Sequence, residues 1–485
     1  MRTYIKPLIG FLLALFVLPA FAEDYNIKTF GAVSDSTQLS TNAINKAIET
    51  CHNKGGGRVV VPTGHFKSGT ITLKSNVELH LERGAVLYAS TRHEDFPKQL
   101  RPEYRSQKDP GGWFALIYAE GQRNIALTGP GTIDGRGAMQ MPRAELPGGD
   151  LDGRPRNVLF ISCQDVTVTE ISMRNAGIWN QHYLNCEDVI VNRIRVYNHA
   201  NRNNDGIDID GCRRFVLSNS IIDSDDDAIV LKSTGKEGCS DVVITNCIAS
   251  SFTNAIKCGT ESTGGFKNIT ISNCVVKRSK STTPPIFGRT NIGITAISLE
   301  IVDGGVMDGV VVDNIVVEAT ECPIYIRLGN RARKYMEGIP TPAPGIMRNV
   351  SISNVVAHSA GNYTSSITGV PGTKIENVSL SNITLINQGG IKAGEYISSA
   401  TQVDEDEKGY PEPTVWKNLP ASGLFIRHVE NISLSNITLG SLAADPRIPV
   451  IGVDIDRIYI KGLRDESHPG AVKTDLKDVK FQKIE

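Results

Sequence analysis

The sequence has few aromatic residues, almost no net charge and, after its first 22 residues, no long hydrophobic run. Aromatic residues make up 6% of the 485 residues, which argues against a large aromatic-lined pocket. The formal net charge of −1 argues against a protein that binds nucleic acid without sequence preference, because such a protein needs a basic face. No Cys-x-x-Cys pair occurs, so the cysteines do not indicate a zinc site.

The only extended apolar segment lies at the N-terminus. Arg2 and Lys6 precede it and Ala20-Phe-Ala22 is a small-x-small cleavage site, so residues 1–22 are predicted to be a secretory signal peptide. A retained membrane anchor is the alternative, but the run is shorter than the roughly 20 residues of a spanning helix. We therefore expect residues 23–485 to form a single domain without a membrane span. This domain is expected to be exported to a periplasm or out of the cell, as a monomer.

Nine cysteines follow the predicted cleavage site, and an odd number leaves at least one thiol unpaired. Export would permit disulfides. Cys186, Cys247 and Cys274, however, each follow an asparagine within the same repeated phrase. We therefore predict that the cysteines pack as small buried hydrophobic residues rather than as a disulfide framework.

Internal repetition is the most informative feature of the sequence. The repeated phrase alternates apolar and polar residues and ends on Asn in most copies, which indicates a short strand followed by a turn. The copies lie at residues 188–192, 241–246, 268–273, 309–314, 349–354, 377–382 and 431–436. From Val189 onward the next three strands start after 26, 27 and 27 residues, with no helical pattern between them. This spacing favours an all-β solenoid, a right-handed parallel β-helix, over a helix-covered sheet or a β-propeller.

An open solenoid needs its ends covered. Residues 41–54 carry an apolar stripe at helical spacing, formed by Ala43, Ile44, Ala47 and Ile48, and predict an N-terminal capping helix. Ser40 or Thr41 can cap its start and Gly55 can end it.

Alignment of the coils collects carboxylates in one place. The phrases that begin at Asp205, Asp227, Asn254 and Thr295 align as one column, so Asp205 and Asp227 are expected one rung apart, with Asp226 beside them. Clustered like charges destabilise a fold unless something uses or neutralises them. The residues alone leave three explanations open: catalysis, a calcium site, or a solvated acidic turn.

These same residues resemble motifs of glycoside hydrolase family 28, the polygalacturonase family. Asn203-Asn-Asp205-Gly-Ile-Asp208 is similar to its Asn-Thr-Asp motif, and Ser224-Asp-Asp-Asp-Ala-Ile-Val-Leu-Lys-Ser233 to its Gly-Asp-Asp motif. The segments 30–35 and 131–135 also match phrases of the family, and the resemblance covers nearly the whole mature chain. It implies a pectin-degrading hydrolase that needs no cofactor or metal and takes a pectic polysaccharide or oligosaccharide as substrate.

The resemblance also implies roles for the three carboxylates. Asp226 corresponds to the general acid that protonates the leaving glycosidic oxygen. Asp205 and Asp227 correspond to the pair that holds and deprotonates water, as in an inverting enzyme. Three clustered carboxylates cannot all ionise easily, so one is expected to keep a proton near neutral pH.

The sequence departs from the family at two motifs. Thr253-Asn254-Ala255 replaces the usual Gly-His-Gly, so we expect Asn254 in place of the histidine as a substrate-binding residue. Ser298-Leu-Glu300 replaces the usual Arg-Ile-Lys, whose cations hold a galacturonate carboxylate in the family. A charged Glu300 would repel a uronate unless it is itself paired.

Three cations from other coils are candidates to compensate for the missing arginine and lysine. Lys257 and Lys232 align with the missing arginine and lysine, and we predict that they contact the substrate. Arg327 aligns with Glu300 one coil later and is predicted to neutralise it or to bind substrate. The altered cations favour a rhamnogalacturonan or another substituted pectin over plain polygalacturonan. Trp179 and His182, one coil before Asp205, are expected to line the cleft, and the 389–418 insertion to wall off one end of it.

Two rival functions fit the same solenoid. A polysaccharide lyase would use the acidic cluster to bind calcium and an arginine to abstract a proton, but the aligned column around Asp205 lacks that arginine. A non-catalytic glycan-binding or adhesive solenoid would bind sugar without turnover.

Overall fold

The computed structural model describes residues 24–99, 106–107, 114–142, 153–286, 291–467, 470 and 472–485. The predicted signal peptide, residues 1–22, lies outside this range. Within the range, no helix combines the length and the apolar character needed to cross a bilayer.

The described chain is built almost entirely from short parallel strands. One α-helix, α1, spans Thr41–Asn53, and short 3-10 helices span Ile27–Phe30, His93–Asp95, Gly137–Met139, Ala400–Gln402 and Pro413–Val415. The strands are β1 Asp24–Asn26, β2 Asp35–Leu39, β3 Gly57–Val61, β4 Gly64–Ser68, β5 Ile71–Thr72, β6 Val77–Leu81, β7 Ala85–Ala89, β8 Ala115–Glu120, β9 Arg123–Thr128, β10 Thr132–Asp134, β11 Arg156–Ile161, β12 Gln164–Thr169, β13 Ser172–Arg174, β14 Gln181–Leu184, β15 Glu187–Asn192, β16 Arg195–Asn198, β17 Ile207–Asp210, β18 Arg213–Ser218, β19 Ile221–Ser224, β20 Ile229–Ser233, β21 Cys239–Thr245, β22 Ile248–Ser251, β23 Asn254–Ser262, β24 Phe266–Lys277, β25 Gly293–Ile301, β26 Val306–Glu318, β27 Thr320–Leu328, β28 Ile346–Ala360, β29 Ser365–Thr368, β30 Glu376–Asn387, β31 Ala421–Ser441, β32 Ile448–Asp465 and β33 Thr474–Ile484.

The parallel pairings stack the strands of successive coils into three sheets. The first contains β3, β6, β9, β12, β15, β18 and β21 in spatial order. The second contains β4, β7, β10, β13, β16, β19 and β22, and β24 pairs with both β21 and β22. The third sheet, which carries the candidate site, contains β11, β14, β17, β20, β23, β25, β27 and β29 in spatial order, each hydrogen-bonded to the next coil. The fold is therefore the right-handed parallel β-helix that the repeats predicted.

The core is a column of apolar side chains that point inward from every coil. On the third sheet Ile207, Ile229, Ile256, Ile297 and Ile324 stack in register through five coils, and each is at most 1% exposed. Burying one such side chain contributes about 1.5–3 kcal/mol. This stack fixes the register of the residues that precede each isoleucine, and those residues form the candidate site.

Asparagine ladders fix the turns between the first two sheets. Asn354, Asn382 and Asn436 all have left-handed backbone, with φ of 53°, 55° and 57°. Their side-chain amides hydrogen-bond from coil to coil, Asn436 to Asn382 and Asn382 to Asn354, both at 2.9 Å. The prediction that asparagine marks left-handed turns is confirmed. Its side-chain amide also donates a hydrogen bond to the asparagine side chain of the neighbouring coil.

The predicted cap and the cysteines also have their places in the structure. Helix α1 covers the first coils with Ile44, Ala47, Ile48 and Cys51 buried, and Gly55 (φ +99°) follows its end. Ser40 occupies the N-cap position but makes no side-chain capping bond. All nine cysteines are buried, and thiols such as that of Cys212 donate to backbone carbonyls of the adjacent coil.

Candidate active site

Three aspartates meet where two successive coils enter the third sheet. Asp205 precedes β17, and Asp226 and Asp227 precede β20, the strand stacked directly on β17. Each offers a carboxylate oxygen, and these oxygens all lie within 4.8 Å of one another. All three residues are buried, with 2%, 7% and 4% exposure respectively. The solenoid thus brings together the carboxylates that the sequence aligned.

Asp227 is held as an ionised carboxylate. Its Oδ2 lies 3.2 Å from the Lys257 ammonium, and its Oδ1 accepts a hydrogen bond from the Asn254 amide at 2.6 Å. Burial would raise the pKa of Asp227, but Lys257, Lys232 and Asn254 outweigh it and hold that pKa below its ordinary value. Lys257 and Asn254 are therefore in direct contact with the carboxylate cluster.

Asp226 has the opposite electrostatic environment. Burial, followed by repulsion from Asp205 and Asp227, raises its pKa well above the ordinary value. The Thr253 hydroxyl lies between the two neighbours, 3.0 Å from Asp226 Oδ1 and 3.1 Å from Asp227 Oδ1. One hydroxyl proton cannot serve two ionised carboxylates, so a proton on Asp226 removes the conflict.

Asp205 faces a second buried lysine. The Lys232 ammonium lies 3.7 Å from Asp205, 3.6 Å from Asp208 and 3.5 Å from Glu261. Burial and then Asp208 raise the pKa of Asp205, and burial raises that of Asp208 to about 8. The Oδ1 atom of Asp205 is buried and has no hydrogen-bond partner among the described residues.

The carboxylates line a cavity of about 180 Å³. Its described walls are Trp179, Asn203, Asp205, Asp226, Asp227, Lys232, Thr260, Glu261, Arg333 and Tyr410. The volume and the polar lining suit part of a carbohydrate rather than an apolar ligand. Glu261, Arg333 and Tyr410 come from a strand end and from insertions outside the repeated phrases, so sequence periodicity did not reveal them.

The structure does not bring Arg327 to this cavity. Its backbone aligns with Glu300, as the sequence predicted, but no ion pair joins the two side chains within the described chain. The Arg327 guanidinium instead donates to the carbonyl oxygens of Glu405 and Asp406, at 2.6 and 3.1 Å, and to Gly369. The predicted Glu300–Arg327 pair is therefore wrong, because the 389–418 insertion supplies the arginine with other acceptors.

Burial, rather than an ion pair, relieves the charge conflict at Glu300. The side chain is 1% exposed, accepts a hydrogen bond from Ser298 at 2.6 Å and is absent from the described cavity wall. Burial raises the pKa of Glu300 to about 7 even though Lys257 lowers it. Glu300 therefore does not present a fixed negative charge to the cavity.

The two residues expected from the preceding coil differ in position. Trp179 lines the cavity, with Lys232 above its ring at 4.8 Å. His182 is fully buried, and its Nε2 pairs with Asp210 at 3.0 Å. Burial lowers the pKa of His182 to about 4. Because the side chain is fully buried and absent from the described cavity wall, the expectation that it lines the cleft is wrong.

The 389–418 insertion reaches the cavity through Tyr410, which lies 5.6 Å from the Lys257 ammonium and receives a hydrogen bond from Thr260. Arg427 holds the same insertion, donating to the carbonyls of Val403 and Asp404, each at 2.9 Å. Two largely buried arginines, Arg327 and Arg427, thus fix the base of the insertion that forms one side of the cavity.

Comparison with known proteins finds relatives among the polygalacturonases. The chain is 30% identical to a probable polygalacturonase of Vitis vinifera over 222 residues, covering 44% of this chain and 45% of the relative. It is 28% identical over 249 residues to an exo-poly-alpha-D-galacturonosidase of Dickeya chrysanthemi, covering 42% of this chain and 41% of the relative. The chain thus spans less than half the length of these relatives.

A solved exopolygalacturonase of Thermotoga maritima shares the fold, with a TM-score of 0.62 and 22% identity over 75% of this chain and 87% of that structure. Residues 51–404 match the profile of Glycosyl hydrolases family 28, and this stretch contains every residue that lines the described cavity except Tyr410. The protein therefore belongs to glycosyl hydrolases family 28.

Proposed function

We propose that the protein is an exported, monomeric glycoside hydrolase that cleaves a glycosidic bond of a pectic polysaccharide or oligosaccharide. The observation that carries the proposal is the split within the carboxylate cluster. Asp226 favours its protonated form and Asp227 its ionised form, although their Oδ1 atoms share one hydroxyl. Pairs of carboxyl groups with opposed pKa shifts are the usual basis of acid and base roles in glycoside hydrolysis.

The proposed reaction is a single displacement, with carboxylate oxygens within 4.8 Å of one another, closer than the roughly 6.5–9.5 Å usual for inverting glycosidases. Asp226 donates its proton to the glycosidic oxygen as the bond from that oxygen to the anomeric carbon breaks. Water attacks the opposite face of that carbon and gives a proton to Asp227, which Lys257 keeps ionised before attack. Asp205, which lines the same cavity, positions the water. The proton balance closes when Asp227 releases its proton and Asp226 regains one from solvent.

The calcium-dependent alternative has less support. A divalent cation favours several unpaired carboxylate oxygens. Here two buried lysines already lie within 3.7 Å of the cluster, and both keep pKa values well above the ordinary value because the surrounding carboxylates outweigh burial. A lyase would lose activity with a chelator and release a product that absorbs ultraviolet light, whereas the proposed hydrolase would do neither.

Asp226→Asn tests the proposal. The wild-type protein, incubated with polygalacturonan and with rhamnogalacturonan fragments, should release reducing ends with inverted anomeric configuration by proton NMR. The variant should lose about a thousandfold or more in kcat, because a positioned proton donor and its electrostatic effect are both removed. Asp241→Asn, at an exposed turn of the same solenoid, is the matched control and should keep full activity.

Both variants should keep the wild-type melting temperature, because Asp226→Asn removes a buried carboxyl that already favours its neutral form. Retained activity in Asp226→Asn would remove the acid assignment. Release of the product with retained configuration would remove the single-displacement mechanism.

A further inference from the structure

The cations in the cavity wall and directly behind it differ in whether a carboxylate of the protein already neutralises them. Lys232 lies within 3.7 Å of Asp205, Asp208 and Glu261, and Lys257 lies 3.2 Å from Asp227. Both lysines are also at least 95% buried. A new anion would therefore compete with carboxylates that the fold itself supplies.

Arg333 is the exception among the cations that line the described cavity. Its side chain is exposed, and no ion pair joins it to a carboxylate within the described residues. It lines the same cavity as Asp205, Asp226 and Asp227. An exposed guanidinium at the rim of an acidic cavity can form two parallel hydrogen bonds to an incoming carboxylate.

The backbone around Arg333 is held in place on both sides of the turn. Its amide donates to Asp303 at 3.0 Å, and the preceding Ala332 amide donates to the Val302 carbonyl at 2.8 Å. Asn330 donates to the Glu407 carbonyl at 2.6 Å, which ties the turn to the 389–418 insertion. The position of the turn is thus set before any ligand arrives, which lowers the entropic cost of binding.

We propose that Arg333 binds the carboxylate of a uronic acid unit and so determines the specificity of this site. The proposal rests on the proposed function, since it places the uronate in the cavity of the hydrolytic carboxylates. Arg333, in the turn after β27, would thus bind the uronate in place of the two cations that the family carries on the strand corresponding to β25. In this protein Ser298 and the buried Glu300 occupy those positions and offer no cation. The expected substrate is therefore a pectic chain with a free, unesterified uronate at this subsite.

The test compares Arg333→Gln, Arg333→Lys and the control Lys334→Gln on trigalacturonate and on its methyl ester. Lys334 is the adjacent exposed cation and lies outside the described cavity wall, so its replacement makes the same charge change. Arg333→Gln should raise KM for trigalacturonate about ten- to hundredfold, the value of a charged hydrogen-bonded contact. It should change KM for the methyl ester less than about threefold. Arg333→Lys should restore part of the loss, and Lys334→Gln should leave both substrates unchanged.

Equal effects of Arg333→Gln on acid and ester, or equal effects of Arg333→Gln and Lys334→Gln, would overturn the proposal. Calorimetric binding of trigalacturonate separates it from the hydrolytic assignment. If the wild-type protein binds the trimer without cleaving it and Arg333→Gln weakens binding by the same factor, the carboxylate site stands and the hydrolase proposal fails. If the wild-type protein binds the methyl ester as tightly as the acid, the carboxylate site fails whatever the activity.

Discussion

The main expected effect of replacing Lys257 by methionine is a change in the pH dependence of the reaction. At 3.2 Å and an effective dielectric constant of about 20, the Lys257–Asp227 attraction is about 5 kcal/mol. At about 1.4 kcal/mol per pKa unit this sets an upper limit of nearly 4 units. Lys232 and Asn254 still stabilise the ionised form in the variant, so we expect the pKa of Asp227 to rise by about 1–3 units.

The assay is kcat/KM against pH from about 3 to 8, with a thermal melt at each pH. The acidic limb of the Lys257→Met profile should move to higher pH by the same shift of about 1–3 units, because the catalytic base Asp227 must be ionised for the reaction to proceed. In the wild-type protein the lowered pKa of Asp227 contributes stability above its ordinary pKa of about 4, and this contribution is lost as the pH falls through the native value. The difference in melting temperature between wild type and variant should therefore grow as the pH rises from the native pKa of Asp227 in the wild-type protein to that in the variant, and stay constant at higher pH.

Lys277→Met is the control, because Lys277 is a surface lysine 3.9 Å from Glu318 whose side chain is 40% exposed. It should shift neither the pH profile nor the melting curve measurably. An unchanged acidic limb in Lys257→Met, together with a melting difference that is the same at every pH, would refute the reasoning. Lys257 would then act only through packing.

Two further predictions concern the neighbours of the cluster. Glu300→Gln should stabilise the protein above pH 7 by up to about 3 kcal/mol and have little effect near pH 4. The reason is that the native pKa of Glu300, raised to about 7, costs stability as the pH rises from 4.5. Chemical denaturation at both pH values checks this, and an equal effect at the two values would contradict it. Thr253→Val should shift the acidic limb of the pH–rate profile to higher pH by about one unit, because the carboxylates lose a hydrogen-bond donor. Thr253→Ser should keep the wild-type profile. Identical profiles for the two variants would show that the hydroxyl has no role.

The repeated part of the molecule was the part that its sequence could predict. Alternating apolar residues and turn asparagines recur with the coil, so the strands, the stacked isoleucines and the proximity of Asp205 to Asp227 all follow from alignment. Periodicity specifies where a backbone lies in each coil. It also placed Asn254, Lys232 and Lys257 beside the carboxylates, because they belong to strands of the same sheet.

Alignment of the repeated coils does not predict the contacts of a side chain that hydrogen-bonds to an insertion. Arg327 is in register with Glu300, yet its guanidinium donates to carbonyl oxygens of the 389–418 insertion. The buried Glu300 carboxyl accepts its hydrogen bond from Ser298 instead. Arg333 and Tyr410 reach the cavity from non-repeating segments, so no alignment of coils could place them. His182 has the alternation of an outward residue, but Asp210 on the next coil binds it inside the sheet.

The asparagine ladders have a consequence for how this protein can diversify. Consecutive rungs join Asn273 to Asn314 across 41 residues and Asn382 to Asn436 across 54 residues, yet the amide contacts are 2.7 and 2.9 Å. The ladders therefore restore the same amide contact after excursions of both lengths. Excursions can be lengthened, exchanged or deleted while the reacting groups stay where they are. Selectivity and chemistry can then evolve as separate parts of one scaffold.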